Sequence, residues 1–195
     1  MSESDPSQVH IKRLAEHANP GHPVDAKDIC RHAEAFHTGI VVLTHQANPE
    51  ILSAVAYPSM VLSAFSAELW FKCIIFIEKN DLVRGHLLFE LFKELSPSSQ
   101  SRLTELWTEW VSENPVIKRV VDINEKELEP IALDFEKSLE SGSDAFRELR
   151  YVYENKPRPP YVLFGLPLIL RRLVSAGKRR RGTVAAVHAR GSCGG

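Results

Sequence analysis

Apolar residues crowd into one stretch of the chain. Between Ala54 and Ile77 they wrap the helical period on nearly every side, interrupted mainly by serines, Pro58, Glu68 and Lys72. A helix without a wide polar face belongs at the centre of a bundle. The pattern therefore predicts a central helix over residues 58–79, ended by Asn80-Asp81. Before it, Asp28 is placed to cap a helix over 29–45, which Asn48-Pro49 closes. After it, Gly85 precedes a short helix over 86–95, and Ser96-Pro97 opens the next. Proline suits a first helical turn and serine suits its cap. That helix carries Leu103, Leu106, Trp107 and Trp110 at spacings of three and four and stops at Asn114-Pro115.

A long helical pattern follows over 124–154, with breaks expected at Pro130 and Ser141-Gly142-Ser143. The run Lys156-Pro157-Arg158-Pro159-Pro160 reads as a rigid linker to a last helix over 161–175, kinked at Pro167. No stretch of useful length alternates with period two, and no repeat is visible. The fold class predicted is all-α, an up-and-down helical bundle. It spans residues 28–175. Residues 1–27 form a loose polar arm, and 176–195 a basic, Gly-rich tail whose composition reads as disordered.

Composition narrows the setting. The 195 residues, 44% of them hydrophobic, suffice for one domain with an ordinary core. A net charge of −1 provides no global field for nucleic acid or an anionic membrane, so any such contact needs a local patch. Cys30, Cys73 and Cys193 are odd in number and widely spaced. They argue against a disulfide framework and fit a reducing, cytoplasmic setting. The first residues lack the architecture of a secretion signal. A membrane span needs about 20 apolar residues without buried charge. Residues 54–77 are interrupted by Pro58, Glu68 and Lys72, and the apolar run 161–170 is too short. Neither meets that requirement, and no membrane partner is expected.

Four polar groups stand out in this apolar setting: Glu68, Lys72, Arg84 and His86. Glu68 and Lys72 lie four apart and share a helical face, with Lys79 on the same stripe. They either form an ion pair that fixes helix register, or Glu68 orients a nearby Arg or His. Ser59, Ser63 and Ser66 line another side, small enough to admit a neighbouring helix or a symmetry mate. His86, after Gly85, is expected at a helix start, where backbone N–H groups and Arg84 would favour an anion. It is either a cap or a general acid or base. Later, Phe146, Leu149 and Tyr153 share an inward face, while Arg147, Arg150, Tyr151 and Glu154 share another. That second stripe is a solvated charged face or a phosphate-binding one.

The run Ser63-x-x-Ser66-x-Glu68-Leu69-x-x-Lys72, then Gly85-His86-Leu87 and Leu91-Phe92-x-x-Leu95, resembles bacterial HEPN-like proteins. The block Arg150-Tyr151-x-Tyr153-Glu154 resembles what those proteins carry near the end of their bundle. The resemblance covers about residues 30–155. It implies an α-helical bundle, usually a homodimer, and in many members a metal-independent ribonuclease of toxin or phage-defence type. Other members only bind nucleotides or partner proteins. Catalytic members carry Arg, four to six residues, then His on a late helix. Here that spacing occurs at Arg31…His37 and Arg181…His188, about as often as chance allows for 14 Arg and eight His. The late helix has Arg147 and Arg150 but no following His.

Catalysis would therefore need His86, from a different helix, to meet Arg150 in space, which is not the family's motif; the catalytic candidates are His86, Arg150 and Glu68, and the phosphate-binding ones Arg147, Arg84 and Lys72. The resemblance implies no cofactor. Expected partners are a second copy, RNA or a nucleotide, and a nucleotidyltransferase or antitoxin. Two other constellations are weaker. Glu34-x-x-His37 matches one Glu-x-x-His unit of a di-iron site, which needs two of these plus two further Glu, and Cys30 could share its face, but the remaining ligands are missing, so no metal is expected. Lys178-Arg179-Arg180-Arg181, with Arg171, Arg172 and Arg190, makes the C-terminus cationic, either as a solubilising tail or as a phosphate contact.

Overall fold

The apolar wrap of the central helix is explained by where it sits. The computed structural model describes residues 25–45, 49–115, 118, 133–151 and 163–175. Helix α1 is Ala26–Thr44, α2 is Pro49–Lys79, α3 is Leu88–Lys93 and α4 is Pro97–Glu113. After these come α5, Phe135–Ser141, and α6, Ala145–Arg150. A 3-10 turn, Leu163–Gly165, leads into α7 at residues 166–175. No strand occurs among the described residues, and the fold is an all-α helical bundle. The second half of α2 runs through the core, contributing Ala67, Trp70, Phe71, Ile74 and Ile75. Around it pack α3, α4, α5 and α7 through Leu91, Phe92, Leu103, Trp107, Leu139 and Ile169, all buried.

Aromatic rings join these layers. Phe135 meets Phe92 edge-on at 5.3 Å and Trp107 at 5.3 Å, and Trp110 meets Phe164 at 5.5 Å. Such contacts add to the area they bury. Gly165 lies against Trp110 so closely that a Cβ there would run into the indole ring. Glycine is what lets the 3-10 turn seat α7.

Several boundaries differ from expectation. Helix α1 is capped by Asp25, whose carboxylate accepts from the Lys27 amide at 3.0 Å. Asp28 instead lies in the first turn and pairs with Arg31 at 2.9 Å. Helix α2 begins at Pro49, so Pro58 lies inside it. Pro58 and Ala54, four residues earlier, are both exposed, so water can serve the carbonyl that proline leaves unbonded. Pro167 falls in the first turn of α7 and produces no break there. The predicted break at 141–143 is present as a turn at 142–144 between α5 and α6. The arm 1–24, the Pro130 break, the Pro-rich linker and the tail 176–195 lie outside the described residues.

The cysteine reading is corrected. Cys30 of α1 and Cys73 of α2 form a disulfide, with Cα atoms 5.6 Å apart and a sequence separation of 43. Packing of the two helices creates the proximity that spacing alone does not show. Of the α2 serines, Ser66 and Ser63 have intrachain partners, whereas Ser59 Oγ is buried with no hydrogen-bond partner among the described residues. Ser66 Oγ donates to the Ala33 carbonyl at 2.8 Å and Ser63 Oγ to the Phe164 carbonyl at 3.1 Å. They seat α1 and the 3-10 turn. The stretch Ala54–Lys79 is long and apolar enough to cross a membrane, and 56% of its most apolar window is buried inside the protein.

Candidate functional site

Glu68 is the most buried charged side chain among those described, with 2% of its side chain exposed. A carboxylate in such a place needs partners. Its Oε1 accepts from Lys72 Nζ at 2.7 Å, one helical turn on, and meets His86 Nδ1 at 2.8 Å. Its Oε2 is buried with no hydrogen-bond partner among the described residues. An ionised carboxylate only accepts, so the proton of this bond sits on His86 Nδ1. In its neutral form the ring then carries its lone pair on Nε2. The His86 side chain is 70% exposed, so that nitrogen can meet a ligand. Three predicted site residues, Glu68, Lys72 and His86, are thus brought into direct contact.

His86 does not begin a helix, contrary to expectation. It lies in the irregular segment 81–87, and α3 starts at Leu88. The buried positions Leu88, Leu91 and Phe92 set that start, because apolar spacing of three and four begins only there. Asn80 turns the chain out of α2 with a φ of 55°, a left-handed conformation that asparagine tolerates. An anion at a helix N-terminus beside His86 is therefore not available. Arg84 shares the segment, and its side chain is exposed. Lys79 turns away from the site to Glu94 at 2.6 Å.

Sequence reasoning missed Ser143. Leu87 precedes α3 and has no side-chain acceptor for the first-turn amides. Ser143 supplies both: its carbonyl accepts from Leu88 N at 3.0 Å and its Oγ from Phe89 N at 3.1 Å. The cap thus comes from the turn that leads into α6, and α6 packs along α2. The one local signal was a leucine where a capping residue belongs. Through Ser143, the His86 segment and the Arg-bearing α6 are held as neighbours. Arg147 on α6 is 70% exposed and pairs with Asp144. Arg150 ends α6, and its side chain lies outside the described residues, as does Glu154.

A second cluster joins α1 to α7. Glu34 pairs with Arg171 at 3.0 Å beside His37, whose Nδ1 is buried without a hydrogen-bond partner among the described residues. Burial pushes His37 below the ordinary histidine range; Glu34 opposes this, and Arg171 adds to it. A shallow cavity of about 320 Å³ lies on α7, lined by Leu168, Arg171, Arg172 and Ser175. Glu34 is thus bound to arginine and Cys30 to Cys73. No group of three or more metal-ligating side chains occurs among the described residues. The chain matches no protein-family model, no curated protein and no solved structure.

Proposed function

We propose that this chain is a HEPN-like, metal-independent RNase or RNA-processing effector of toxin or phage-defence type. One observation carries the reading: an exposed imidazole whose Nδ1 is held by a buried carboxylate, Glu68, at 2.8 Å. Such a pair fixes the tautomer and leaves Nε2 ready to move a proton. In this mechanism His86 Nε2 takes the proton of a ribose 2′-hydroxyl. The 2′-oxygen attacks the adjacent phosphorus, the bond to the 5′-oxygen breaks, and that oxygen takes a proton from His86 or from solvent. Arg84, Arg147 and Arg150 supply positive charge for the phosphate, and Lys72 keeps Glu68 in place.

The test is cleavage of total RNA in EDTA by the wild type, His86→Ala and Arg150→Ala. Wild type cleaves, and His86→Ala is slower by about 10²-fold or more, as expected for loss of a general acid–base. Equal cleavage by all three, or by none, overturns the proposal.

A second reading rests on Lys72. It shares the Glu68 oxygen that His86 uses, as in an ion triad that only fixes register. The chain is then a silent module that binds a nucleotide or a partner protein, such as a nucleotidyltransferase or antitoxin. A partner that co-purifies with a chain unable to cleave RNA selects this reading.

A further inference from the structure

Charge is divided unevenly along this chain. Residues 155–195 hold nine of the 24 Lys and Arg and none of the 25 Asp and Glu. They carry +9 and residues 1–154 carry −10, so the net charge of −1 conceals two opposed regions. The described part of the cationic region is the 3-10 turn and α7. Leu166, Ile169, Leu170 and Val174 of α7 are buried in the core. That burial fixes what the other side presents: Leu168, Arg171, Arg172 and Ser175, at spacings of three and four, line the shallow cavity of about 320 Å³.

The two arginines are prepared for an anion in different ways. Arg171 is held by Glu34 at 3.0 Å yet is 47% exposed, and a guanidinium has five N–H donors, so it has donors to spare. Arg172 is exposed and has no ion-pair partner among the described residues. Lys178, Arg179, Arg180 and Arg181 follow within six residues of Ser175, hence within about 20 Å of it. Six cations in the eleven residues 171–181 match the charge density of a nucleic-acid backbone. Residues 166–181 contain no aromatic side chain to stack on a base and no Asn or Gln to pair with adenine, whereas Arg forks suit phosphate oxygens. A membrane surface is a poorer match, because an interfacial helix needs its apolar face free and that of α7 is buried.

We infer that α7 and the basic run after it form a sequence-independent binding surface for the phosphate backbone of nucleic acid, double-stranded DNA included. It lies outside residues 30–155 and needs no 2′-hydroxyl, so it is independent of the RNA chemistry proposed at His86. The two places also lie on different sides of α2. Ser63, which bonds the turn before α7, and Lys72, which shares Glu68 with His86, are two and a half helical turns apart and so face opposite ways. The negative remainder of the chain repels the same backbone, which confines it to this end. With six phosphates neutralised, the logarithm of the binding constant falls against that of salt with a slope of about −5.

Fluorescence anisotropy of the full chain with a labelled, mixed-sequence DNA duplex of about 20 base pairs, in about 50 to 200 mM salt, tests it. Wild type should bind with that slope. So should Arg102→Glu, a control with the same charge change on the exposed face of α4. Arg172→Glu should bind at least about fivefold more weakly, with a slope smaller by about 1 and unchanged helicity. Lys178→Ser, Arg179→Ser, Arg180→Ser and Arg181→Ser together should remove about 4 from the slope. A wild type that ignores the duplex, or binds only phosphatidylglycerol vesicles, overturns the inference. Full affinity in Arg172→Glu, or an equal loss in Arg102→Glu, does the same. So does displacement of the duplex by poly-glutamate as readily as by unlabelled duplex. A chain that binds the duplex but leaves RNA intact would remove the function proposed above and keep this surface; RNA cleavage without duplex binding does the reverse.

Discussion

The molecule holds two sets of glutamate, histidine and cation, arranged in opposite senses. At Glu68, Lys72 and His86 the carboxylate is buried and the imidazole exposed. At Glu34, His37 and Arg171 the imidazole nitrogen is buried and the carboxylate partly exposed. Composition is nearly the same; burial decides the use. The first set presents a held ring to solvent, so a proton can pass between it and a ligand. The second buries one ring nitrogen, Nδ1, of a half-buried side chain, which makes it part of the α1–α7 packing. Residue identity in sequence does not separate the two, because both histidines follow glutamates that can reach them.

Three measurements can break or sharpen this contrast. The largest effect on stability is expected away from both histidines, at the Cys30–Cys73 bridge that ties α1 to α2. A closed loop of 43 residues constrains the unfolded chain by about 4 kcal/mol. The urea midpoint should fall on adding dithiothreitol, and Cys30→Ser should be low with or without it. If the wild type is indifferent to the reductant, α1 is held by packing alone.

Next comes Glu68→Ala, which strands Lys72 in a mostly buried position and should cost about 3 kcal/mol. His86→Ala removes one bond from an exposed ring and should cost about 1 kcal/mol. Similar costs for the two variants in chemical denaturation would erase the distinction between a buried anchor and an exposed working group.

The smallest effect is the pH response of His37. Its folded pKa is lowered, so its neutral form favours the fold above the ordinary histidine pKa of about 6.5. As pH falls, the unfolded chain takes the proton first. Stability is lost until the lowered folded value is passed. Between pH 7.5 and 5, wild type should lose more stability than His37→Leu. An equal loss would place the wild-type response elsewhere.

The bundle was largely legible in the sequence. The apolar wrap of α2 marks a central helix, and Ser96-Pro97 opens α4, where Ser96 Oγ accepts from Ser99 N at 3.4 Å. Leu103, Leu106, Trp107 and Trp110 point inward as their spacing requires. These are local signals, carried within one helix. At the site, the contact between Glu68 and Lys72 followed from helical spacing. The contact with His86 needed the chain to reverse at Asn80. The disulfide and the Ser143 cap depend on helix packing between distant segments, and neither spacing nor propensity encodes that.

Gly165 and Trp110 bear on how this sequence can change over time. The indole fills the space that any side chain at 165 would need. Neither glycine nor ring is a free variable: exchanging the glycine first drives the 3-10 turn off α4, whereas trimming the tryptophan first opens room for a later methyl group. Only one order of substitutions is passable. Among descendants that keep this docking, the two positions should therefore vary as a pair, large ring with glycine or small side chain with alanine.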